Sequence, residues 1–291
     1  MPELPEVETV RRGLHALILS RRVATVTHDT PKSFPNAPHE VDTFLIGATI
    51  TDVRRRAKVL MIDLSSEYTL VIHLKMTGQL VYRGQEVFGA GHPNESLIGE
   101  LPDRSTRVTL TFTDGSKLFF NDQRKFGWVK LYPTIEVPNI DFMKKVGPEP
   151  LEDELTVESF IARIRRRNGT TIKAALLDQT VVAGIGNIYA DESLWGARIH
   201  PATRVGKVVD AELTTLLREM REVLQLAIDK GGSTDKNYVN AEGKRGSYID
   251  FARVFRREGQ SCPHHPGVLI EKTRVAGRGT HTCPVCQVEV V

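Results

Sequence analysis

The chain has 291 residues, of which 40% are hydrophobic and 26% are charged, and its formal net charge is +3. This composition is typical of an ordinary globular protein, and the length allows two domains with separate cores. No apolar run is long enough to span a membrane, and the amino end lacks the basic and then apolar pattern of a signal peptide. We therefore expect a cytoplasmic protein.

The first six residues, Met-Pro-Glu-Leu-Pro-Glu, have two interpretations. If Met1 is removed, as a small second residue usually allows, the mature chain starts with the secondary amine of Pro2, close to Glu3 and Glu6. An α-amine titrates near pH ~8, so part of it is unprotonated, and its attack on an aldehyde-like carbon gives a positively charged iminium. Alternatively, proline and glutamate simply begin a helix, where both suit the first turn. On these six residues alone, the helix start is the simpler interpretation.

The amino-terminal half is predicted to be one helix followed by many short strands. Apolar residues at helical spacing predict a helix from about Pro5 to Leu19. Asp114-Gly115 predicts a hairpin turn between two of the strands. So many short strands indicate a β-sandwich or a β-barrel. The strand-like runs are residues 23–27, 48–51, 60–64, 70–74, 108–112, 117–120 and 128–132.

The carboxy-terminal half is predicted to be helical and to end in a small cysteine-bearing segment. Glycines at 231 and 232 end the last helix, and a loop rich in Gly, Asn and Lys follows at residues 235–246. The helical patterns cover about 156–167, 171–178, 187–195 and 211–230. A proline-rich linker separates the two halves, so the predicted segments are 1–133, 134–150, 151–235 and 236–291.

Positive charge is concentrated in three places. Residues 236–291 hold nine Lys and Arg against five Asp and Glu, a net of +4, and basic runs occupy residues 54–58 and 163–167. One such run is usually a solvated surface, but several on one chain indicate a phosphate backbone as the partner.

All three cysteines lie within the last thirty residues and indicate a metal site. Cys283 and Cys286 form a CxxC pair, and Cys262 with His265 repeats that spacing upstream. A cytoplasmic location disfavours disulfides, and three thiolates with one imidazole suit tetrahedral zinc in a closed, structural site. His264 is the alternative fourth ligand, and unconnected thiols without metal are the alternative to any such site.

Two glycine-containing segments have residue types that bind phosphate. Residues 274–280 form a basic turn, and a guanidinium there can contact a phosphate or stack on a base. Gly184-Ile185-Gly186-Asn187 lies between helical segments, where glycines allow close backbone approach and Asn187 can cap the next helix. A solvated arginine and a plain helix–helix turn are the alternatives.

Two further segments end in loops that carry arginine, phenylalanine and methionine. They are residues 73–78 (HLKMTG) and residues 121–127 (NDQRKFG). These residue types at loop tips are the ones that proteins insert into a base stack. A core position for the phenylalanine and methionine is the alternative, but the adjoining basic residues favour at least partial exposure.

Taken together, these motifs resemble the formamidopyrimidine-DNA glycosylase family, bacterial enzymes that remove oxidised purines. The resemblance implies an α+β multidomain fold: an amino-terminal helix with a β-sandwich, a helix-two-turn-helix module and a carboxy-terminal zinc-finger β-hairpin. It also implies a monomeric glycosylase and abasic-site lyase that binds lesion-containing double-stranded DNA and one structural zinc ion. The motifs are PELPEVETV, RRRAK, IHLKMTG, DQRKFG, VGPEPL, GIGNIYADE, GGSTDKNYVN and the cysteine tail.

The resemblance places the chemistry at the amino terminus. Pro2 would attack C1′ of a nucleotide flipped out of the duplex, displace the damaged base and leave an iminium-linked sugar, followed by β- and δ-elimination. Glu3 would be the general acid and base, and Glu6 would support the site. Lys58 would lie near the lesion and its phosphate.

The resemblance also implies contacts with the DNA backbone. Asn187 and Arg278 match a phosphate-clamping asparagine and a zinc-finger arginine, the latter counted with the catalytic set. His73 and Lys173 fit backbone contacts.

A gap-filling triad (Met76, Arg124 and Phe126) is implied for the space that the flipped nucleotide leaves. Arg124 would face the orphaned base, and the other two side chains would support the kinked stack. Tyr238 and Asn240 lie in the loop that would close over the extruded base.

The chain departs from the family pattern in two places. His265 stands where the family has a cysteine, and seventeen residues separate it from Cys283, one more than the family has. We expect zinc to be retained, with Cys262, His265, Cys283 and Cys286 as ligands, because histidine is a competent zinc ligand. The second departure is a polar insert at residues 84–104, for which the sequence indicates no role.

Two other functions fit part of the pattern. An endonuclease-VIII-like glycosylase of the same fold prefers oxidised pyrimidines, but Leu4 and the gap-filling triad favour the purine enzyme. A catalytically silent DNA-binding protein would keep the helical module and the finger, but it would lack or block Pro2 and Glu3.

Overall fold

The computed structural model describes residues 1–233 and 248–290. It divides the chain into two compact units, Met1–Lys144 with Lys230–Ser247, and Lys145–Asp229 with Tyr248–Val291. The predicted boundary at residue 236 lies outside the described residues. Within the described ranges, no helix is long and apolar enough to cross a bilayer.

The first unit begins with helix α1 (Leu4–Ile18), whose bounds lie one residue from those predicted. The sequence did not predict α2, α3, β5 or β6. β5 begins inside a loop motif, and β6 contains two glycines among five residues. The other elements are β1 (Val23–His28), α2 (Pro38–Phe44), β2 (Ile50–Arg56), β3 (Val59–Leu64), β4 (Tyr68–His73), β5 (Gly78–Arg83), β6 (Val87–Gly91), β7 (Thr106–Phe112), β8 (Lys117–Asp122), β9 (Trp128–Pro133) and α3 (Asp141–Lys145).

The strands form two antiparallel sheets, in the orders β1-β7-β8-β5-β6 and β2-β3-β4-β9. Alternate side chains of both sheets, such as Leu60 and Ile62 of β3, share one core with α1. The intervening Val59 and Met61 pack with Val137 in a second cluster, so β3 is apolar on both faces. The predicted β-sandwich is confirmed.

The insert at residues 84–104 covers part of the outer face of the five-stranded sheet. Its strand β6 pairs with β5 at the sheet edge. Beyond β6, the side chain of Leu97 packs against Val81 and Phe119. The insert is therefore a folded part of the sandwich.

The second unit is a helical core followed by two β-hairpins. Threonine side chains cap α4 and α5, as the preference for Ser, Thr and Asp at helix starts predicts. Ala276 and Gly277 have φ of 50° and 73°, which makes the two-residue turn of the second hairpin the type that suits twisted strands. The elements are α4 (Val157–Arg165), α5 (Ile172–Leu177), α6 (Asn187–Gly196), α7 (Asp210–Asp229), β10 (Ser261–Cys262), β11 (His265–Leu269), β12 (Glu271–Val275) and β13 (Arg278–Thr282).

Candidate functional site

The amino terminus of the first unit brings two buried carboxyl side chains to the start of α1. Pro2, Glu3 and Glu6 are all buried. The Glu6 carboxylate accepts hydrogen bonds from the backbone N–H of Glu3 and of Ser233, both at 2.7 Å. Glu6 therefore joins the start of α1 to the last residues before the predicted lesion-capping loop. Tyr238 and Asn240 of that loop lie outside the described residues.

The position of Pro2 suits a nucleophilic amine once Met1 is removed. Pro2 immediately precedes the residue that caps α1, at the positive end of the helix dipole. The amine of a chain that starts at Pro2 would therefore lie at the start of α1, beside the buried Glu3 and Glu6. Burial, and then the charge of the α-ammonium group, lower the pKa of His92 in the insert. The sequence did not indicate His92.

His73 and Lys58 lie at adjoining ends of the four-stranded sheet. Lys58 occupies the turn between β2 and β3 and is only 7% exposed. Burial, and then the charges of Lys75 and Lys58, lower the pKa of His73 to about 3. The Nδ1 atom of His73 accepts a hydrogen bond from the backbone N–H of Lys75 at 3.1 Å. The neutral imidazole therefore keeps its Nε2–H as a donor that suits a phosphate oxygen.

We define the wedge loops as residues 74–78 and 123–127, which carry the gap-filling triad. Phe126 is 48% exposed, and the Arg124 guanidinium lies 5.0 Å from the centroid of its ring. Met76 is partly buried. A Cβ at Gly127 would lie 2.9 Å from the carbonyl oxygen of His73, so only glycine fits where the second loop ends. The structure thus exposes Arg124 and Phe126 as expected.

Asp122 lies completely buried beneath both wedge loops. Its carboxylate accepts hydrogen bonds from the Thr77 hydroxyl in the first loop and from the backbone N–H of Arg124 and Gly127 in the second. The sequence motif contains Asp122, but nothing in the sequence pattern distinguishes its buried carboxylate from the exposed residues that follow.

Lys173 in the second unit does not have the placement that we expected of a DNA-backbone contact. Its side chain is 0% exposed, and its Nζ donates to Asp191 Oδ1 at 2.6 Å, Thr280 Oγ1 at 2.8 Å and the carbonyl oxygen of Gly279 at 3.1 Å. The ammonium group therefore donates its hydrogen bonds to acceptors inside the unit. Lys173 therefore links α5 to α6 and to the second hairpin.

Asn187 and Arg278 meet around the backbone of Gly279. Asn187 Nδ2 donates to the carbonyl oxygen of Gly279 at 3.0 Å, and Arg278 is the exposed residue just before it. The prediction that Asn187 caps α6 is wrong, because Gly186 is the capping residue and Asn187 begins the helix. Gly184 has φ of 82°, a conformation that favours glycine.

Asp191 and His281 complete the buried network behind this pair. Asp191 Oδ2 accepts from the backbone N–H of His281 at 3.0 Å and lies 3.2 Å from its Nδ1. Both residues are buried, and the sequence indicated neither of them. A carboxylate inside a helix looks like an ordinary polar position until its partner 90 residues away is known.

The predicted metal ligands converge. Ligand atoms of Cys262, His265, Cys283 and Cys286 all lie within 4.8 Å of one another. His265 Nδ1 lies 3.1 Å from the Cys286 sulfur, as expected of two ligands that each approach a zinc ion to about 2.0–2.3 Å. His264 instead stacks on Trp195, with 4.3 Å between ring centroids. The donor set fits a closed tetrahedral site that uses His265.

Ion pairs neutralise much of the basic charge that the sequence attributed to a phosphate partner. Four arginines of the basic runs 54–58 and 163–167 form ion pairs with carboxylates of their own unit. The pairs are Arg54 with Asp63, Arg55 with Glu8, Arg165 with Asp210 and Arg167 with Asp178.

Comparisons with known proteins agree over the whole chain. Residues 1–129 match the formamidopyrimidine-DNA glycosylase N-terminal domain, and residues 146–238 match the formamidopyrimidine-DNA glycosylase H2TH domain. The formamidopyrimidine-DNA glycosylase of Pelotomaculum thermopropionicum is 40% identical over 289 residues, which are 99% of each chain.

Two solved structures of Lactococcus lactis Fpg have the same fold. One is a complex with DNA that contains an abasic site, and the other is a complex with DNA that contains N7-benzyl-Fapy-dG. Each has a TM-score of 0.86 and 33% sequence identity, and each match covers 99% of this chain and 100% of the other. With both domains matched in order and the predicted motifs in place, the chain belongs to the formamidopyrimidine-DNA glycosylase family.

Proposed function

We propose that this chain excises oxidised purines, including 8-oxoguanine and formamidopyrimidines, from duplex DNA and then cuts the abasic site. The observation that carries the proposal is the start of α1, where Pro2 and Glu3 are buried and the Glu6 carboxylate accepts from the Glu3 backbone. The names of the relatives, and the Fapy-dG complex of the similar Lactococcus lactis protein, support the substrate class.

The first stage breaks the bond between sugar and base. After loss of Met1, the lone pair of the Pro2 nitrogen forms a bond to C1′, and the bond from C1′ to the damaged base breaks with its electron pair leaving on the base. The proline nitrogen gives up its own proton to the departing base anion. Glu3 supplies a proton to the sugar ring oxygen, and as the bond from C1′ to that oxygen breaks, the nitrogen lone pair forms the C=N bond of a positively charged iminium. Glu6 holds the backbones of Glu3 and Ser233 in fixed positions through its two hydrogen bonds.

The second stage cuts the backbone. The iminium withdraws electrons, so a proton can leave C2′ and the 3′ phosphate departs with the electron pair of its C–O bond. A second elimination releases the 5′ phosphate in the same way. No further cofactor is needed, because the iminium itself is the electron sink.

The remaining predicted residues would bind the DNA around the flipped nucleotide. His73, Lys58, Asn187 and Arg278 would contact phosphates, and the wedge loops would fill the gap. The four-residue cluster of Cys262, His265, Cys283 and Cys286 would hold one zinc ion, which would supply a structural cross-link. We infer a monomer that works in the cytoplasm.

Borohydride trapping tests the proposal, because reduction of the iminium joins enzyme and DNA permanently. We expect an adduct with 8-oxoguanine duplex that Pro2→Gly weakens and that chemical blocking of the amino terminus abolishes. Pro5→Ala, at the same helix start, is the matched control and should trap normally. Intact mass should show that Met1 is absent, since its retention would block the amine. Cleavage of lesion DNA without any adduct would overturn the iminium mechanism.

Substrate preference needs its own comparison. Rates on duplexes with 8-oxoguanine opposite cytosine are measured beside rates on duplexes with thymine glycol. We expect faster excision of 8-oxoguanine, whereas the reverse order would assign the chain to pyrimidine repair.

A further inference from the structure

A buried polar network beneath the wedge loops has no part in the mechanism above. Asp122 and Gln79 are each 0% exposed, and Asn121 is 1% exposed. Burying such groups destabilises a fold unless their donors and acceptors are paired. A network of this kind at the ends of β5 and β8 therefore restricts the adjoining backbone to one arrangement.

Asp122 bonds to both wedge loops at once. Its Oδ1 accepts from the Thr77 hydroxyl and, at 3.2 Å, from the backbone N–H of Arg124. Its Oδ2 accepts from the backbone N–H of Gly127 at 2.7 Å. The Thr77 oxygen in turn accepts from the Arg124 N–H at 3.0 Å, so the two loops are bonded directly as well.

Each member of the gap-filling triad is next to one of these bonds. Met76 precedes Thr77, Phe126 precedes Gly127, and the backbone N–H of Arg124 is itself a donor. A shift in this network would therefore move the three side chains of the triad relative to one another.

The insert supplies the other side of the network. Gln79 Nε2 donates to the carbonyl oxygen of His92 and, at 2.7 Å, to Asn94 Oδ1, both of which belong to the insert. The backbone N–H of Asp122 donates at 2.8 Å to the carbonyl oxygen of Ser105, the residue that follows the insert. The middle of the insert thus bonds to β5, and the residue that follows the insert bonds to β8, at the strand ends that adjoin the wedge loops.

We propose that Asp122 is a positioning residue that fixes the two wedge loops as one rigid element, with the insert as its support. The triad then enters the base stack as a unit when the nucleotide is extruded. This inference rests on the proposed function, because it concerns the gap in the same DNA.

The test measures wedge insertion without any chemistry. A duplex carries a tetrahydrofuran abasic site, which cannot be cleaved, beside 2-aminopurine, whose fluorescence rises when the stack opens. Thr77→Val removes only the hydroxyl that joins the loops, and Thr77→Ser keeps it. We expect Thr77→Val and Asp122→Asn to suppress the fluorescence rise and Thr77→Ser to retain it. The first two should also slow single-turnover excision of 8-oxoguanine about 10- to 100-fold.

Asp63→Asn is the matched control. Asp63 lies on β3, accepts hydrogen bonds from Arg54 on β2 and Thr69 on β4, and bonds to neither wedge loop. It should leave the fluorescence rise and the excision rate unchanged. If Thr77→Val and Asp122→Asn show the same fluorescence rise as the wild type, even with a lower unfolding temperature, the role of the network is merely structural and the proposal is overturned. Absence of a fluorescence rise in the wild type would overturn it as well. A wild type that opens the stack but cuts no lesion would instead overturn the proposed function alone.

Discussion

The wedge loops of the first unit and the Asn187–Arg278 pair of the second unit solve the same problem with different chemistry. In each region, a buried carboxylate joins the segments that carry side chains proposed to contact DNA. Asp122 is satisfied by a hydroxyl and backbone amides. Asp191 accepts from a buried lysine and from His281. The first arrangement is a neutral-donor network, and the second is a buried ion pair.

This difference predicts that removal of the carboxylate destabilises the second region more than the first. A buried lysine without its carboxylate is an uncompensated charge in a medium that solvates it poorly, whereas an amide without its acceptor is a smaller loss. The second unit also has a cluster of four cysteine and histidine side chains that could hold a metal ion, while the wedge loops are held by hydrogen bonds and glycine geometry.

Removal of a metal ligand should have the largest effect, and it should be confined to the second unit. Cys283→Ala should lower bound zinc from about one ion per chain to almost none, because a structural site needs its full ligand set. Zinc released per chain is measured with a colorimetric chelator, and unfolding of each unit is followed by amide hydrogen exchange. Protection of the β-sandwich strands should be unchanged.

A matched pair of histidine variants decides which imidazole binds. His265→Ala should lose zinc, and His264→Ala should retain it, because His264 stacks on Trp195 instead of facing the sulfurs. Zinc retained in His265→Ala and lost in His264→Ala would reverse the assignment.

The carboxylate at 191 should matter more for stability than the one at 122. Asp191→Ala should lower the free energy of unfolding by about 3–5 kcal/mol, because it strands the buried Lys173 ammonium. Asp122→Ala should cost about 1–3 kcal/mol, the range for leaving buried donors unpaired. Urea denaturation of both variants makes the comparison.

The control for the ion pair removes both charges. Lys173→Met combined with Asp191→Leu should recover much of the loss caused by Asp191→Ala, since no unpaired charge remains. Equal losses in Asp191→Ala and Asp122→Ala would contradict the distinction between the two regions.

The two regions also differ in what the sequence predicted. The exposure of Phe126 and the convergence of the four cysteine and histidine side chains agree with the sequence analysis, because residue type and short spacing indicate both. The buried ion pair of Lys173 was not predicted, because a lysine in a helix pattern gives no sign of a carboxylate on the next helix. Asp122 and the insert were not interpreted, since their hydrogen bonds join segments that only the folded sheet brings together.

Element boundaries show the same limit. The strongly periodic helix α1 was predicted to within one residue, while β5 and β6 were not predicted at all. Gly78, the first residue of β5, has no room for a side chain, because a Cβ there would lie 2.3 Å from the carbonyl oxygen of Leu74, and strand propensity does not reveal this close approach.

The smallest expected effect is the pH dependence contributed by His73 beside the wedge loops. Its pKa is lowered to about 3 in the folded chain by burial and by Lys75 and Lys58, against about 6.5 when unfolded. Below about pH 6.5 the unfolded chain therefore binds a proton that the folded chain does not, so stability falls as pH falls, and above that pH His73 contributes no slope.

His73→Asn removes this titration and keeps an acceptor for the Lys75 N–H. Between pH 7.5 and pH 5.5 the wild type should lose about 1 kcal/mol more unfolding free energy than His73→Asn, as measured by urea denaturation at both values. Parallel losses in the two proteins would mean that the folded imidazole takes up the proton as well. The donor proposed to contact the phosphate would then be a cation. The region beside the wedge loops would then hold a buried charge, as the ion pair of the second unit does.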